Sequence, residues 1–424
     1  AREGHPVEVW SLPELSIERV FGDHIANTPM ALSADGALLG VKDFKQTGVD
    51  GVSTYAVWNI ASREKVGEVL LPVRSHPTSV AFHPRYRVLF TGTSDHRIRV
   101  WDIGQGAESL LLKGPWGTET TGSPIITAAA DGRRFFGALA HKGVFWYADR
   151  AEPYAQFAYD EVSRYPVTAV AFSSDKWHLA LATRNLKATH RSELAAVEIR
   201  DVATGEQKTK TTFDSGVQSL AYSPVGGLLA AGNYRGQIQL LDTATLRTIN
   251  VIEDHQRSVD HLAFSPDGEW LASGSADGEV RVRQMNGPHS FTLLARGGEH
   301  LVLSEDGLFA ASRRGGDLVG MTEGRVSYRI DQFATAHNRP DILVERLGGD
   351  PRLVAHLARR VTHRRKKAGL GKDDEVTALH VPTARFVGAP KINRKRPDRA
   401  TVTVALADSK VPLRRFNVLV NGVP

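Results

Sequence analysis

No cysteine occurs among the 424 residues. That absence excludes a disulfide scaffold, a cysteine nucleophile and any thiolate-held metal. It fits a reducing compartment, and the location expected is the cytoplasm. Uninterrupted apolar runs near 18 residues are also missing, so no transmembrane helix is expected. The opening Ala1-Arg2-Glu3-Gly4-His5 lacks a signal-peptide pattern. It also lacks an initiator methionine, as in a trimmed chain or a fragment. Neither a GxxxxGKS/T nor a GxGxxG motif is present to cradle nucleotide phosphates, and no cofactor is expected. The sixteen histidines, among them His289, His300, His337 and His356, are scattered without an HExxH or paired i, i+4 arrangement, so no metal site is expected either.

What is present is an ordinary globular balance, 41% hydrophobic and 24% charged, with an uneven charge. Residues 336–424 hold 19 Lys and Arg against 8 Asp and Glu, leaving 34 and 39 of the chain's 53 and 47 to residues 1–335. A mildly acidic body therefore precedes a strongly basic tail, the kind of asymmetry that accompanies a domain boundary or an interaction tail.

The body repeats itself. Residues 76–102 and 255–284 each read as a short apolar strand, a Pro-containing turn, a second strand, a Ser/Thr-Asp turn and a third strand. Period-2 alternation is plain in Ile98-Arg99-Val100-Trp101 and Val280-Arg281-Val282. The residue ending the first strand recurs as Leu32, Phe82, Ala128, Phe172, Tyr222, Phe264 and Leu303, at spacings of 50, 46, 44, 50, 42 and 39. A mean near 45 is the length of a propeller blade of about 40–45 residues. Asp-Gly and Pro-Asp-Gly turns after several markers, as at Asp267-Gly268, supply the positive φ a hairpin needs.

The fold expected is all-β: a seven-bladed β-propeller over residues 1–335, its last blade finished by 310–335. Val7-Glu8-Val9-Trp10 reads as a third strand without its first two. It could close the last blade, begin an eighth completed by later strands, or mark a cut from a longer repeat protein. A basic helical connector and linker is expected over 336–400, with a short helix from Ile342 to Leu347 and a second from Asp350-Pro351 to about Lys367. A small β segment over 401–424, with strands at 401–406 and 416–422, would pack on the propeller or begin an unfinished domain.

Val100-Trp101-Asp102 after Ser94-Asp95, with His76 upstream, resembles the WD40 repeat, and the resemblance covers roughly residues 7–330. It implies a hydrogen-bond chain of His, Ser or Thr, Asp and Trp within a blade. His76, Thr91, Asp95 and Trp101 match it. So do His255, Ser273 and Asp277, where Arg283 stands in the Trp position. The tail motifs Asn338-Arg339-Pro340-Asp341-Ile342-Leu343, Lys366-Lys367-Ala368-Gly369-Leu370, Leu379-His380-Val381-Pro382, Asp408-Ser409-Lys410 through Asn417-Val418, and Val420-Asn421-Gly422-Val423-Pro424 resemble the segment joining a WD40 propeller to a caspase-like peptidase in some bacterial proteins. That implies a sensor, a scaffold or the non-catalytic regulatory or substrate-recruiting arm of such a peptidase, and a protein partner, either the peptidase domain or its substrate.

No catalytic residue is expected, so the chain reads as a non-enzyme. The Ser-His-Asp set is buried structure in the repeat context, whereas a nucleophile needs an exposed reaction site. The carboxylates Asp373-Asp374-Glu375 read as a solvated loop. Arg359, Arg360, Arg364, Arg365, Lys366 and Lys367, with Arg394, Lys395 and Arg396, form the unusual charge feature: a solvated face, an interaction segment or a protease-sensitive one. Without interleaved aromatics, nucleic acid is not the expected partner. The insertions Phe44 to Thr54 and Arg184 to Ser192 are candidate contact loops at the channel rim. The reading is thus a protein-interaction scaffold or sensor, the alternative being a propeller enzyme or small-ligand binder with its site at the channel mouth.

Overall fold

The computed structural model describes residues 7–12, 14–21, 29–33, 35–43, 54–72, 75–83, 86–112, 124–129, 132–139, 142–147, 149–158, 167–184, 194–323, 326–367, 383–387, 391–392, 400–401 and 403–407. The chain divides into two compact units, one of residues 1–11 with 16–298, the other of 12–15 with 299–424.

The first unit is a β-propeller of six complete blades, spanning 31–70, 77–112, 125–158, 167–213, 217–253 and 259–296. Each contains a four-stranded antiparallel meander. The first strands of neighbouring blades touch along the series, and hydroxyls stitch them: Ser79 to the Pro124 carbonyl at 2.7 Å, Thr168 to Val217 at 2.6 Å and Ser219 to Val259 at 2.7 Å. Second strands lie between two neighbouring blades, so both of their faces are buried. Leu228–Asn233 is buried from its second residue to its last. Fourth strands meet water on one side, and Gln207–Phe213 shows the resulting alternation. Apolar clusters sit between successive blades. The one between the second and third holds Phe90, Val100, Phe135 and Trp146.

The markers read from the sequence fall where expected, because the turn after them has its own chemistry. Ser33 Oγ donates to Asp35 Oδ1 at 2.5 Å and accepts the Leu38 N–H at 2.8 Å. Ser173 with Asp175, Ser265 with Asp267 and Ser304 with Asp306 repeat the device. The serine hydrogen bond is the main reason that the Asp35 and Asp267 carboxyls sit below their ordinary pKa.

The count of seven blades is corrected to six complete ones among the described residues. The seventh marker, Leu303, lies in the strand Glu299–Ser304 of the second unit, which pairs with the short Phe309–Ala311. Residues 310–335 do not complete a blade there. They form a 3-10 turn, the hairpin Gly320–Glu323 with Val326–Arg329, and another 3-10 turn. The marker reports only the first hairpin of a repeat. Arg313-Arg314-Gly315-Gly316 then breaks the alternation that a third strand needs, and a Cβ on Gly315 would lie 1.9 Å from the His300 carbonyl oxygen. Val7–Ser11 (β1) pairs with Ser16–Phe21 (β2), and this two-stranded sheet packs on the first blade through Val7, Val9 and Phe21 against Leu39, Val41 and Trp58.

Among the described residues the second unit continues with three helices, Ala334–His337 (α1), Pro340–Arg346 (α2) and Pro351–Lys367 (α3). Pro340 starts α2. Gly348, at φ 76°, ends it. Asp350 caps α3 by accepting the Arg352 N–H at 2.7 Å. Thr383–Phe386 pairs with Val404–Ala407, and Lys391–Ile392 with Ala400–Thr401, so the strand expected at 401–406 finds its partners upstream; 416–422 lie outside the described residues.

Arg346 of α2 donates to both oxygens of Asp306, at 2.9 and 2.8 Å. These bonds, ahead of a smaller opposing effect of burial, pull the Asp306 carboxyl down to about 2. A carboxyl with a depressed folded pKa adds stability above its unfolded value of about 3.9 and loses it as pH falls toward the folded value. The Asp306 side chain is 49% exposed, so solvent screening keeps the contribution small. The urea-midpoint gap between wild type and Asp306→Asn is expected to be widest at neutral pH and to close on acidification toward pH 2. A gap independent of pH would show that the pair does not contribute.

Candidate functional site

The two repeats that carry the polar signature build it differently. In the second blade Trp101 Nε1 donates to Thr91 Oγ1 at 2.8 Å, both side chains buried. Asp95 is held instead by Arg99, whose guanidinium donates to it at 2.5 and 3.1 Å, and by Thr93. Burial pushes the Asp95 carboxyl up, but the Arg99 and Thr93 bonds outweigh it and leave the group below its ordinary pKa. His76 is exposed, and its backbone N–H donates to Ser94 Oγ at 2.9 Å. The structure therefore joins Thr91 to Trp101 and assigns Asp95 to Arg99 rather than to a chain running through His76. Arg99 is one residue into the third strand and 2% exposed. A buried guanidinium needs a carboxylate more than an imidazole does.

The sixth blade, whose Trp position is Arg283, holds the more complete chain. His255 Nε2 lies 2.8 Å from Ser273 Oγ, and Nδ1 lies 3.1 Å from Asp277 Oδ2. Asp277 also accepts the backbone N–H groups of Gln256 at 3.0 Å and Glu279 at 2.9 Å. Burial raises its carboxyl pKa, and these two N–H bonds together with His255 more than reverse the effect. Arg283 turns to Asp254, which it meets at 2.8 and 3.0 Å. Ser273 and His255 are buried, so no substrate carbonyl reaches the hydroxyl. His255, Asp277 and Glu279 cluster within 4.8 Å, the spacing of metal ligands. Both imidazole nitrogens already face hydrogen-bond partners, and Glu279 is bonded to Arg281 at 2.8 Å. The arrangement locks the connection entering the blade to the turn between its second and third strands.

The basic segment divides. On α3, Arg359, Arg360, Lys366 and Lys367 are exposed, Arg364 is half-buried and Arg365 is buried. Positive charge at this C-terminal end suits the helix dipole. Arg394, Lys395 and Arg396 lie outside the described residues, as do 44–53 and 185–193 of the two candidate contact loops.

A surface feature escaped the sequence reading. Tyr86, Trp177 and Val225 are 69%, 59% and 54% exposed. Each sits in the turn between the first and second strands of its blade, in the second, fourth and fifth blades. First strands run alongside one another through the propeller, so these turns open at one end. The Tyr86 ring lies 4.7 Å from that of His83, and the Arg134 guanidinium stands 5.3 Å over Trp177. The turns are equivalent positions of a repeat, and their residues carry no common motif that would have singled them out.

The family model described as WD domain, G-beta repeat matches residues 67–102 and 246–283, which include the third strand of the second blade and all but the last residue of that of the sixth. No curated protein matches the chain. Among solved structures, a chain from the "Crystal Structure of Mitotic Checkpoint Complex" is similar at 18% identity and a TM-score of 0.54, over 67% of this chain and 85% of that one. At that identity the likeness shows the fold alone. No helix among the described residues is long and apolar enough to cross a membrane.

Proposed function

We propose that this WD40-type propeller is a protein-interaction scaffold that docks a partner on the rim formed by Tyr86, Trp177 and Val225. The carrying observation is that three large apolar side chains stand exposed at equivalent turns, at one end of the packed blades. Exposed apolar groups of this kind, with Tyr and Trp foremost, are what interface centres use. The rigid blades hold them in place before contact, so little conformational entropy is lost on docking. From the resemblance of the tail we infer that the partner is a caspase-like peptidase domain or its substrate, met in the cytoplasm.

The test is crosslinking of the full chain in its native cell, followed by affinity measurement with the partner so identified. Trp177→Ser is expected to weaken that binding about 30-fold, or about 2 kcal/mol, as for a hot-spot aromatic. Its melting temperature is expected to stay close to wild type, as for most surface substitutions. A partner that binds Tyr86→Ser and Trp177→Ser as tightly as wild type would place the docking surface elsewhere.

A further inference from the structure

The second unit contains a cavity of about 320 Å³. Leu15, Val344, Leu357 and Val361 give it apolar walls, and Arg360 and Arg364 of α3 line it as well. The two arginines lie one helical turn apart and face the same space. Arg364 donates through one Nη to the Asn338 carbonyl oxygen, while its Nε is buried with no hydrogen-bond partner. A buried donor left unmet is costly and calls for an acceptor. The nearby acid does not supply one, because Asp341 is engaged by Arg339 through two bonds of 2.9 Å. Glu14 also lines the cavity, and among the described residues no ion pair joins it to either arginine.

The local charge is thus in excess. Burial lowers the Arg364 pKa; Asp341 opposes this, and the like charges of Arg339, Arg360 and Arg365 add to it. An anion would relieve that strain. A guanidinium presents a planar fork of donors that fits a carboxylate. The volume is at the small end of ligand cavities, about 300–1,000 Å³, and such cavities combine apolar walls with a few polar groups that orient the ligand.

We propose that this cavity is a binding site for a small amphipathic carboxylate, its head group bonded to Arg364 and Arg360 and its apolar part against Leu15, Val344 and Leu357. The site lies in the second unit. Ligand occupancy would hold α3 against α2 through the Arg360 and Arg364 guanidinium groups.

The experiment is isothermal titration of the full chain with octanoate, with octanol and octylamine as chain-matched controls. Octanoate is expected to bind saturably at one site, and both controls at least tenfold more weakly. Arg364→Gln is expected to lower octanoate affinity at least tenfold. Arg360→Gln, at an exposed position where folding is not at stake, is expected to lower it severalfold. Absence of saturable octanoate binding at millimolar concentration overturns the proposal. Equal binding of octanol, or octanoate binding unchanged in Arg360→Gln and Arg364→Gln, overturns it too.

Discussion

Trp146→Ala is expected to destabilise the propeller by about 3–5 kcal/mol, the range for truncating a large buried aromatic. Trp146 is fully buried in the third blade. Its ring stacks on Phe135 at 5.4 Å with an interplanar angle of 8°, and Phe135 stacks on Phe90 of the second blade at 4.6 Å. The three rings are one column across a blade boundary. A Cβ on Gly137 would come within 3.1 Å of the indole, so the backbone is already close-packed around it. The surroundings cannot collapse into the space left by alanine, which is why the upper part of the range applies. Domains of ordinary stability have about 5–15 kcal/mol in total, so the variant loses a large share of it. Urea unfolding measures the loss through the midpoint at unchanged slope. Trp146→Phe keeps the stack and is expected to cost less than half as much. A Trp146→Ala unfolding free energy within about 1 kcal/mol of wild type would show that the column does not hold the two blades together.

Gly236→Ala is the second large effect, and it acts through the backbone. Gly236 has φ 85°, which costs an L-residue roughly 1–2 kcal/mol. A Cβ there would also lie 2.0 Å from the His255 carbonyl oxygen and 3.0 Å from that of Arg257. These are backbone atoms of the connection into the sixth blade, so relief requires moving that connection. Its movement would pull His255 from Ser273 and Asp277. Gly226 supplies the control, since it has φ 77° with nothing within 4 Å of an added Cβ. Gly226→Ala is expected to show only the conformational cost. Gly236→Ala is expected to exceed it by at least about 2 kcal/mol and to increase amide exchange at Gln256 and Glu279. Equal losses in the two variants would show that the connection yields freely.

The sequence was legible where chemistry is local. A hairpin turn depends on adjacent residues, so Asp267-Gly268 announced its hairpin, with Gly268 at φ 73°, while the Ser265–Asp267 bond that closes it was seen only in the structure. Pro340, Gly348 and Asp350 bounded α2 and α3 for the same reason. The polar signature was half legible. His255, Ser273 and Asp277 meet as the repeat pattern implies, although Arg283 replaces the expected tryptophan. His76 matched the pattern and still stands outside the chain, because the competition for Asp95 was decided by Arg99, a residue outside the motif. Blade completeness was not legible from the markers, which report a hairpin and not the strands after it.

By itself, then, the sequence determined the all-β repeat, the positions of its first-strand turns, the helices of the tail and the absence of thiol chemistry. Those depend on neighbours within a few residues and on composition. The tertiary structure decided the rest: six complete blades among the described residues, the capture of Asp95 by Arg99, the exposed Tyr86, Trp177 and Val225, and the cavity that faces Arg360 and Arg364. Each of these depends on which groups compete for one buried space, and that competition is settled only when distant segments are packed together.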